Sequence, residues 1–235
     1  KQDTLAAIFA LDERADDEAV PGQGENAGYY LLRYKRALKD DGYVGGFYTG
    51  REQGGAFNRL LGMDSQLRLT RSSMFSLHEF VSFTESPATQ QVKGNAFAGN
   101  YDYSTRDLGI GAGIYSITAG FFSDSGYLTR NGVTGLKGSL TPNIYPRSEW
   151  LRKISPSLTV AVIRDHESGK KEGTGGVVTD FLLKGNTRLH LELLYGSEIF
   201  LGRLFDVSQV RLVFQSWLSK KFYVSLDLRR GNQIR

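Results

Sequence analysis

The chain has 235 residues with 28 glycines, only 5 prolines, 12 tyrosines, 14 phenylalanines and no cysteine, which excludes disulfide scaffolds, thiol catalysis and thiolate metal centres. Its formal charge of +4 is modest and its basic residues alternate with acidic ones, so no basic stripe points to nucleic acid. No apolar run approaches the roughly 18 residues of a membrane helix, and a mean hydropathy of −0.31 fits a soluble protein or a barrel equally well.

Periodicity therefore has to decide. Residues 4–11 read as a strand with Leu5, Ala7, Phe9 and Leu11 on one side, blurred by Ala6, Ile8 and Ala10 on the other. Residues 12–28 form a long acidic loop; the carboxylates of 12–18 lack the spacing of a calcium loop, so a solvated loop is the favoured reading. In a second strand over 28–38, Tyr30, Leu32 and Tyr34 oppose Arg33 and Lys35. A compact turn at 39–42 leads to a third strand at 43–50, too rich in glycine to assign a face, and then a glycine-containing loop at 51–58.

The hairpin over 62–83 carries the clearest pattern. Leu61, Met63, Leu67 and Leu69 share one face, while Asp64, Gln66, Arg68 and Thr70 share the other. After a break at 71–73, Phe75, Leu77, Val81 and Phe83 oppose Ser76, His78, Ser82 and Thr84, with Glu79 and Phe80 as exceptions. Arms of about ten residues exceed the usual five or six of globular strands. They match the roughly nine to eleven of a transmembrane strand, and lipid on the apolar face would leave the polar face to line a lumen.

Beyond a polar loop at 85–91, the strand at 92–103 sets Phe97, Tyr101 and Tyr103 against Asn100 and Asp102. After a turn at 104–107, Leu108, Ile110, Ala112 and Ile114 face away from Gly109, Gly111 and Gly113. That glycine run lacks the lysine and helix of a phosphate loop; it reads as room for bulky side chains across a lumen. A long break at 119–131, a weaker strand at 132–141 and an irregular stretch at 142–153 precede a strand marked by Leu158, Val160 and Val162. A charged loop at 165–173 follows, then Val177, Phe181 and Leu183. Past a turn at 184–186, Leu189, Leu191, Leu193 and Tyr195 face away from Arg188, His190 and Glu192. After a longer connection at 196–205, Val210, Leu212, Phe214 and Leu218 oppose Gln209, Arg211 and Gln215. Finally Phe222, Val224, Leu226 and Leu228 oppose Tyr223, Ser225, Asp227 and Arg229.

Tight connections near Asp40, Ser72, Thr105, Gly185 and Lys220 alternate with long ones near Glu18, Gly54, Pro87, Ser125, Ser168 and Phe200, with 142–153 breaking the rule. Short turns at one end and long loops at the other describe an outer-membrane barrel. The expected fold is all-β: an antiparallel up-and-down transmembrane barrel domain over residues 1–235. About thirteen strands is an odd number, which points to part of a larger even-stranded barrel. The first residues do not read as a signal peptide, so an exported protein has lost its signal or the chain belongs to a longer one.

The expected lumen set is Arg33, Lys35, Asp64, Gln66, Arg68, Asn100, Asp102, Arg188, His190, Glu192, Gln209, Arg211, Asp227 and Arg229. The expected lipid-facing set is Leu61, Met63, Leu67, Leu69, Phe75, Leu77, Val81, Phe83, Leu189, Leu191, Leu193, Val210, Leu212, Phe214, Phe222, Val224 and Leu226. Tyr29, Tyr30, Tyr34, Tyr101, Tyr103, Tyr195 and Trp217 are girdle candidates, or platforms for sugars if they face inward. His78, His166 and His190 share no ligand spacing, and Asp165 beside His166 specifies no nucleophile. No cofactor, metal or catalytic group is expected.

The runs RALKDDGYVGGFYTGRE at 36–52, NRLLGMDSQLRL at 58–69 and GFFSDSGYLTRNG at 120–132 resemble a family of Gram-negative outer-membrane proteins. In that family a periplasmic domain similar to carbohydrate-binding module family nine precedes a C-terminal barrel. The resemblance covers residues 4–164 best, lacks that sugar-binding-like domain and transfers no catalytic motif. It implies an integral, multi-pass outer-membrane location with lipid and lipopolysaccharide as partners. A non-enzymatic barrel that passes a small polar solute or glycan, or anchors an envelope assembly, is the leading expectation. A soluble all-β carbohydrate-binding protein and an outer-membrane hydrolase are the alternatives.

Overall fold

The computed structural model describes residues 2–12, 26–87, 89–126 and 128–232. Thirteen antiparallel strands follow one another: β1 Asp3–Asp12, β2 Ala27–Ala37, β3 Tyr43–Gln53, β4 Ala56–Thr70, β5 Ser73–Ser86, β6 Thr89–Ser104, β7 Leu108–Ile117, β8 Val133–Pro142, β9 Leu151–Asp165, β10 Lys171–Leu183, β11 Thr187–Phe200, β12 Arg203–Ser219 and β13 Phe222–Asn232. Each strand lies beside its sequence neighbours in a single sheet that is not closed, with β1 and β13 at the two ends of the strand order. Among the described residues there is no helix. The chain divides into two compact units, one of Lys1–Asn100 with Tyr115–Thr134, the other of Tyr101–Ile114 with Gly135–Arg235.

The expected strands are present, but several are longer than their alternation suggested: β4 has 15 residues, β6 16 and β12 17. The expected loops at 51–58 and 196–205 are corrected to two-residue connections between paired arms, and that at 85–91 is shorter than expected because β5 runs to Ser86 and β6 begins at Thr89. Gly54 and Gly55 (φ 56° and 78°) and Leu201 and Gly202 (φ 47° and 71°) take the left-handed conformations that suit tight hairpins. The expected sorting of connections by length fails accordingly, since three of the six supposed long ones are short. The longest connection among the described residues is 118–132. The reason is local: at 51–58 and 85–91 both faces of the strand ends become polar, and at 196–205 the adjacent pairs Ile199–Phe200 and Leu204–Phe205 put apolar side chains on both faces, so alternation stops while the backbone ladder continues. Glu52 and Arg59, paired at 2.7 Å across β3 and β4, stand at such an end.

Register assigns the faces of the first unit. Leu61, Met63 and Leu67 pair with Val81, Glu79 and Phe75, and Leu5 and Phe9 pair with Tyr34 and Tyr30. That face is apolar at mid-strand apart from Ser65 and Glu79, with Asp3, Arg36, Glu52, Arg59 and Glu85 towards the strand ends. The opposite face carries Arg33, Asp64 and His78, and also the only sizeable hydrophobic cluster among the described residues: Leu60, Ala96 and Phe121 with Phe47, Phe80, Ile117 and Leu128. Phe80 thus breaks the hairpin's alternation because it belongs to this cluster. Gly62 lies beneath its rings: a Cβ there would sit 2.4 Å from both Phe47 and Phe80, whose ring centroids are 5.1 Å apart. Gly62→Ala is expected to destabilise the fold by about 1–3 kcal/mol through overpacking, read from the urea midpoint.

In the second unit Leu189, Leu191 and Leu193 pair with Phe214, Leu212 and Val210, and Leu226 and Leu228 continue that face from β13. Arg188, His190 and Glu192 point to the other side.

Candidate functional site

Each unit presents a polar face built from alternate strand positions. In the first, Arg33 on β2 reaches Asp64 on β4 with two bonds, Nη1 to Oδ1 at 2.5 Å and Nη2 to Oδ2 at 2.8 Å. The intervening strand permits this because it carries Gly45 at that level, where a Cβ would sit 3.0 Å from both groups. The glycines that obscured the third strand in sequence are therefore what lets its neighbours pair across it. Lys35 lies over the ring of Tyr43 at 3.9 Å. Gln66 and Arg68, expected to line a lumen, share this face but bind the β2–β3 turn: Gln66 Nε2 donates to Asp41 O at 3.2 Å and Arg68 Nε to Asp40 O at 3.0 Å. Asp40 and Asp41 hold φ of 57° and 61°, and these bonds secure that left-handed corner.

The connection 118–132 lies against this polar face. Phe122 N donates to Ser82 Oγ (3.1 Å), Asn58 Nδ2 donates to Phe122 O (3.1 Å), and Asp124 N donates to Asn58 Oδ1 (3.0 Å). Ser125 Oγ donates to Thr49 Oγ1 at 2.9 Å, and Arg51 pairs with Asp124 at 3.1 Å. Phe121, 5% exposed, enters the cluster, and Asn58 is 2% exposed. The approach to β6 is close enough to demand glycine on both sides. A Cβ on Gly94 would lie 2.1 Å from Phe121 N, and one on Gly120 would lie 2.7 Å from Lys93 O. Sequence reasoning missed Thr49, Asn58 and Phe121 as a set. The available signal was parity, since Asn58 and Ser82 fall on the same faces of their strands as Asp64 and His78.

In the second unit the polar residues form a row across β10 to β13. Asp180 accepts from Arg188 Nε (2.9 Å) and faces His190 Nδ1 (3.1 Å), and His190 Nε2 lies 3.6 Å from Glu192. Gln209 Nε2 donates to Glu192 at 2.7 Å, and Arg211 grips Asp227 at 3.0 and 2.8 Å, with Arg229 alongside at 3.3 Å. Of the expected set, Arg188, His190, Glu192, Gln209, Arg211, Asp227 and Arg229 stand together here, with Asp180 beside them as a residue the sequence did not single out. Both nitrogens of His190 face carboxylates, those of Asp180 and Glu192. Asp102 Oδ1 lies 4.0 Å from the position of a Cβ on Gly111. On the neighbouring strand β8, Thr141 and Ser139 lie nearest Gly109 and Gly111. A cleft of about 430 Å³ on this unit is bordered by Asn143, Lys153, Ser155, Asp180 and Arg188.

The aromatic candidates divide between faces. Tyr30, Tyr34 and Tyr195 lie on the apolar faces. Tyr29, opposite Arg51, and Trp217, packed on Tyr223 at 5.0 Å, lie on the polar ones. Asp165 beside His166 accepts from Ser168 N at 2.6 Å, closing the turn after β9. Among the described residues no three His, Asp or Glu side chains group to hold a metal, and the acidic stretch after Asp12 lies outside those residues. No protein-family model matches the chain, and no curated protein matches it at significant similarity.

Proposed function

We propose that the chain is part of the β-barrel of an integral outer-membrane protein, a non-enzymatic element that passes a small polar solute or glycan, or anchors an envelope assembly. One observation carries this reading: in each unit the apolar face stands uncovered. Met63 is 61% exposed, Leu158 59%, Leu193 46% and Leu228 55%. A sandwich would bury such residues under a second sheet. Hydrocarbon is the medium in which an exposed Leu, Val and Phe face has no cost, and it also requires the complete backbone pairing that an up-and-down ladder supplies. Further strands beyond β1 or β13 would then close the barrel, with the polar faces turned inward and outer-membrane lipid and lipopolysaccharide outside. The resemblance to the Gram-negative family with a sugar-binding-like periplasmic domain agrees with that location.

The test is refolding of the full-length protein, with the strands that close the barrel, into lipid vesicles. A membrane barrel floats with the vesicles and resists alkaline extraction, whereas a protein that stays monomeric in buffer without detergent refutes the proposal. Glu79, on the apolar face opposite Met63, supplies a second check. In lipid, Glu79→Leu is expected to raise stability by about 1–2 kcal/mol, because a carboxylate on that face lies in the wrong medium. Urea titrations of vesicle-bound protein measure it.

A further inference from the structure

The polar face of the first unit carries a feature that a plain conduit has no use for. Residues 118–132, of which all but 127 are described, read in the sequence as a long break and as a run shared with the family it resembles, and they are bonded to that face at points far apart in the chain. The contacts are with Thr49 on β3, Asn58 on β4, Ser82 on β5 and Lys93 and Gly94 on β6, so one connection straps four strands. The attachment has an apolar anchor, Phe121 among Leu60, Ala96, Phe47 and Phe80, and a polar one, Asn58, whose amide both donates to and accepts from the strap's backbone. An external loop would leave the polar face open to water, and neither a buried Phe121 nor glycine at 94 and 120 would be needed.

We infer that 118–132 is a resident constriction: a strap fastened inside the barrel that narrows the solute path and sets the size of what passes. The inference rests on the barrel reading and specifies how that barrel would select. Its attachment makes it a fixed element, since releasing it would expose Phe121 and take from the buried Asn58 both its strap bonds, leaving only the one to Thr84 Oγ1 at 2.7 Å.

The experiment uses the full-length protein, with the strands that close the barrel, refolded into planar bilayers, and compares wild type, Asn58→Ala/Ser82→Ala and Thr49→Cys/Ser125→Cys. The chain has no cysteine of its own, so the engineered pair is free of competing thiols within it. Because Thr49 Oγ1 and Ser125 Oγ are 2.9 Å apart, a disulfide is expected to form by air oxidation in the folded protein and to leave conductance at the wild-type level. The Ala pair loses three bonds to the strap, and its single-channel conductance is expected to rise at least about twofold as the path widens. Adding the cysteine pair to the Ala pair should restore the wild-type value when oxidised and release it when reduced. If wild type inserts and conducts but the loosened variant conducts no more, the constriction is refuted while the barrel stands. Failure of the disulfide to form in inserted protein refutes the strap's placement, even if the Ala pair misfolds. Failure of wild type to insert at all removes the barrel reading, and the constriction with it.

Discussion

Replacing Leu193 by arginine is expected to destabilise the vesicle-bound protein by about 2–4 kcal/mol, the usual effect of a cation on the lipid face of a barrel near mid-membrane. Leu193 on β11 stands between Val177 on β10 and Val210 on β12, with Leu191 and Tyr195 on the same face of its own strand. None of these neighbours offers the guanidinium a carboxylate. Because the leucine is already 46% exposed, the change removes little packing, so its effect reports the medium that covers the face. In water the same substitution would fall within about ±0.5 kcal/mol, as exposed positions ordinarily do. Urea unfolding from vesicles measures the difference, and a value in that small range would remove the membrane from the account.

Asp64→Ala is the second large effect, and it acts through the opposite face. The Asp64 side chain is 8% exposed and that of Arg33 28%, and they share two short bonds over Gly45. Removing the carboxylate leaves a half-buried guanidinium without its main partner, at an expected loss of about 2–3 kcal/mol, reduced from the fully buried case by the water that still reaches Arg33. Replacing both residues, Arg33→Leu with Asp64→Leu, should cost less than Asp64→Ala alone, because no unpaired charge remains. The comparison is read from the urea midpoints of the three proteins. Equal losses for the single and double replacements would show that the pair contributes only its packing volume.

The candidate site was legible in sequence in one respect and illegible in another. Arg33, Asp64, Arg188, His190, Glu192, Arg211 and Asp227 stand on polar faces by their alternation with Leu, Val and Phe, a two-residue rule that needs no knowledge of neighbours. Their partners did not follow, because Arg33 finds Asp64 two strands away and only over a glycine. The supposed loops at 51–58 and 85–91 had the composition of loops because their strand ends are polar on both faces, and 196–205 lost its alternation where Ile199 adjoins Phe200 and Leu204 adjoins Phe205. Gln66 and Arg68 had the parity of lumen residues but stand at the level of the β2–β3 turn, which uses them as clasps.

Strand identity, strand order and the two-faced character of the sheet follow from the sequence alone, because each depends on what one residue and its near neighbours require of solvent. The tertiary structure decided where the long connection lies and what it touches. Those contacts join Ser82 to Phe122, Asn58 to Asp124 and Thr49 to Ser125, residues 40, 66 and 76 positions apart. Such pairings leave no periodic trace: a buried asparagine and a solvated one have the same neighbours in sequence, and only the fold determines which of them meets a backbone instead of water.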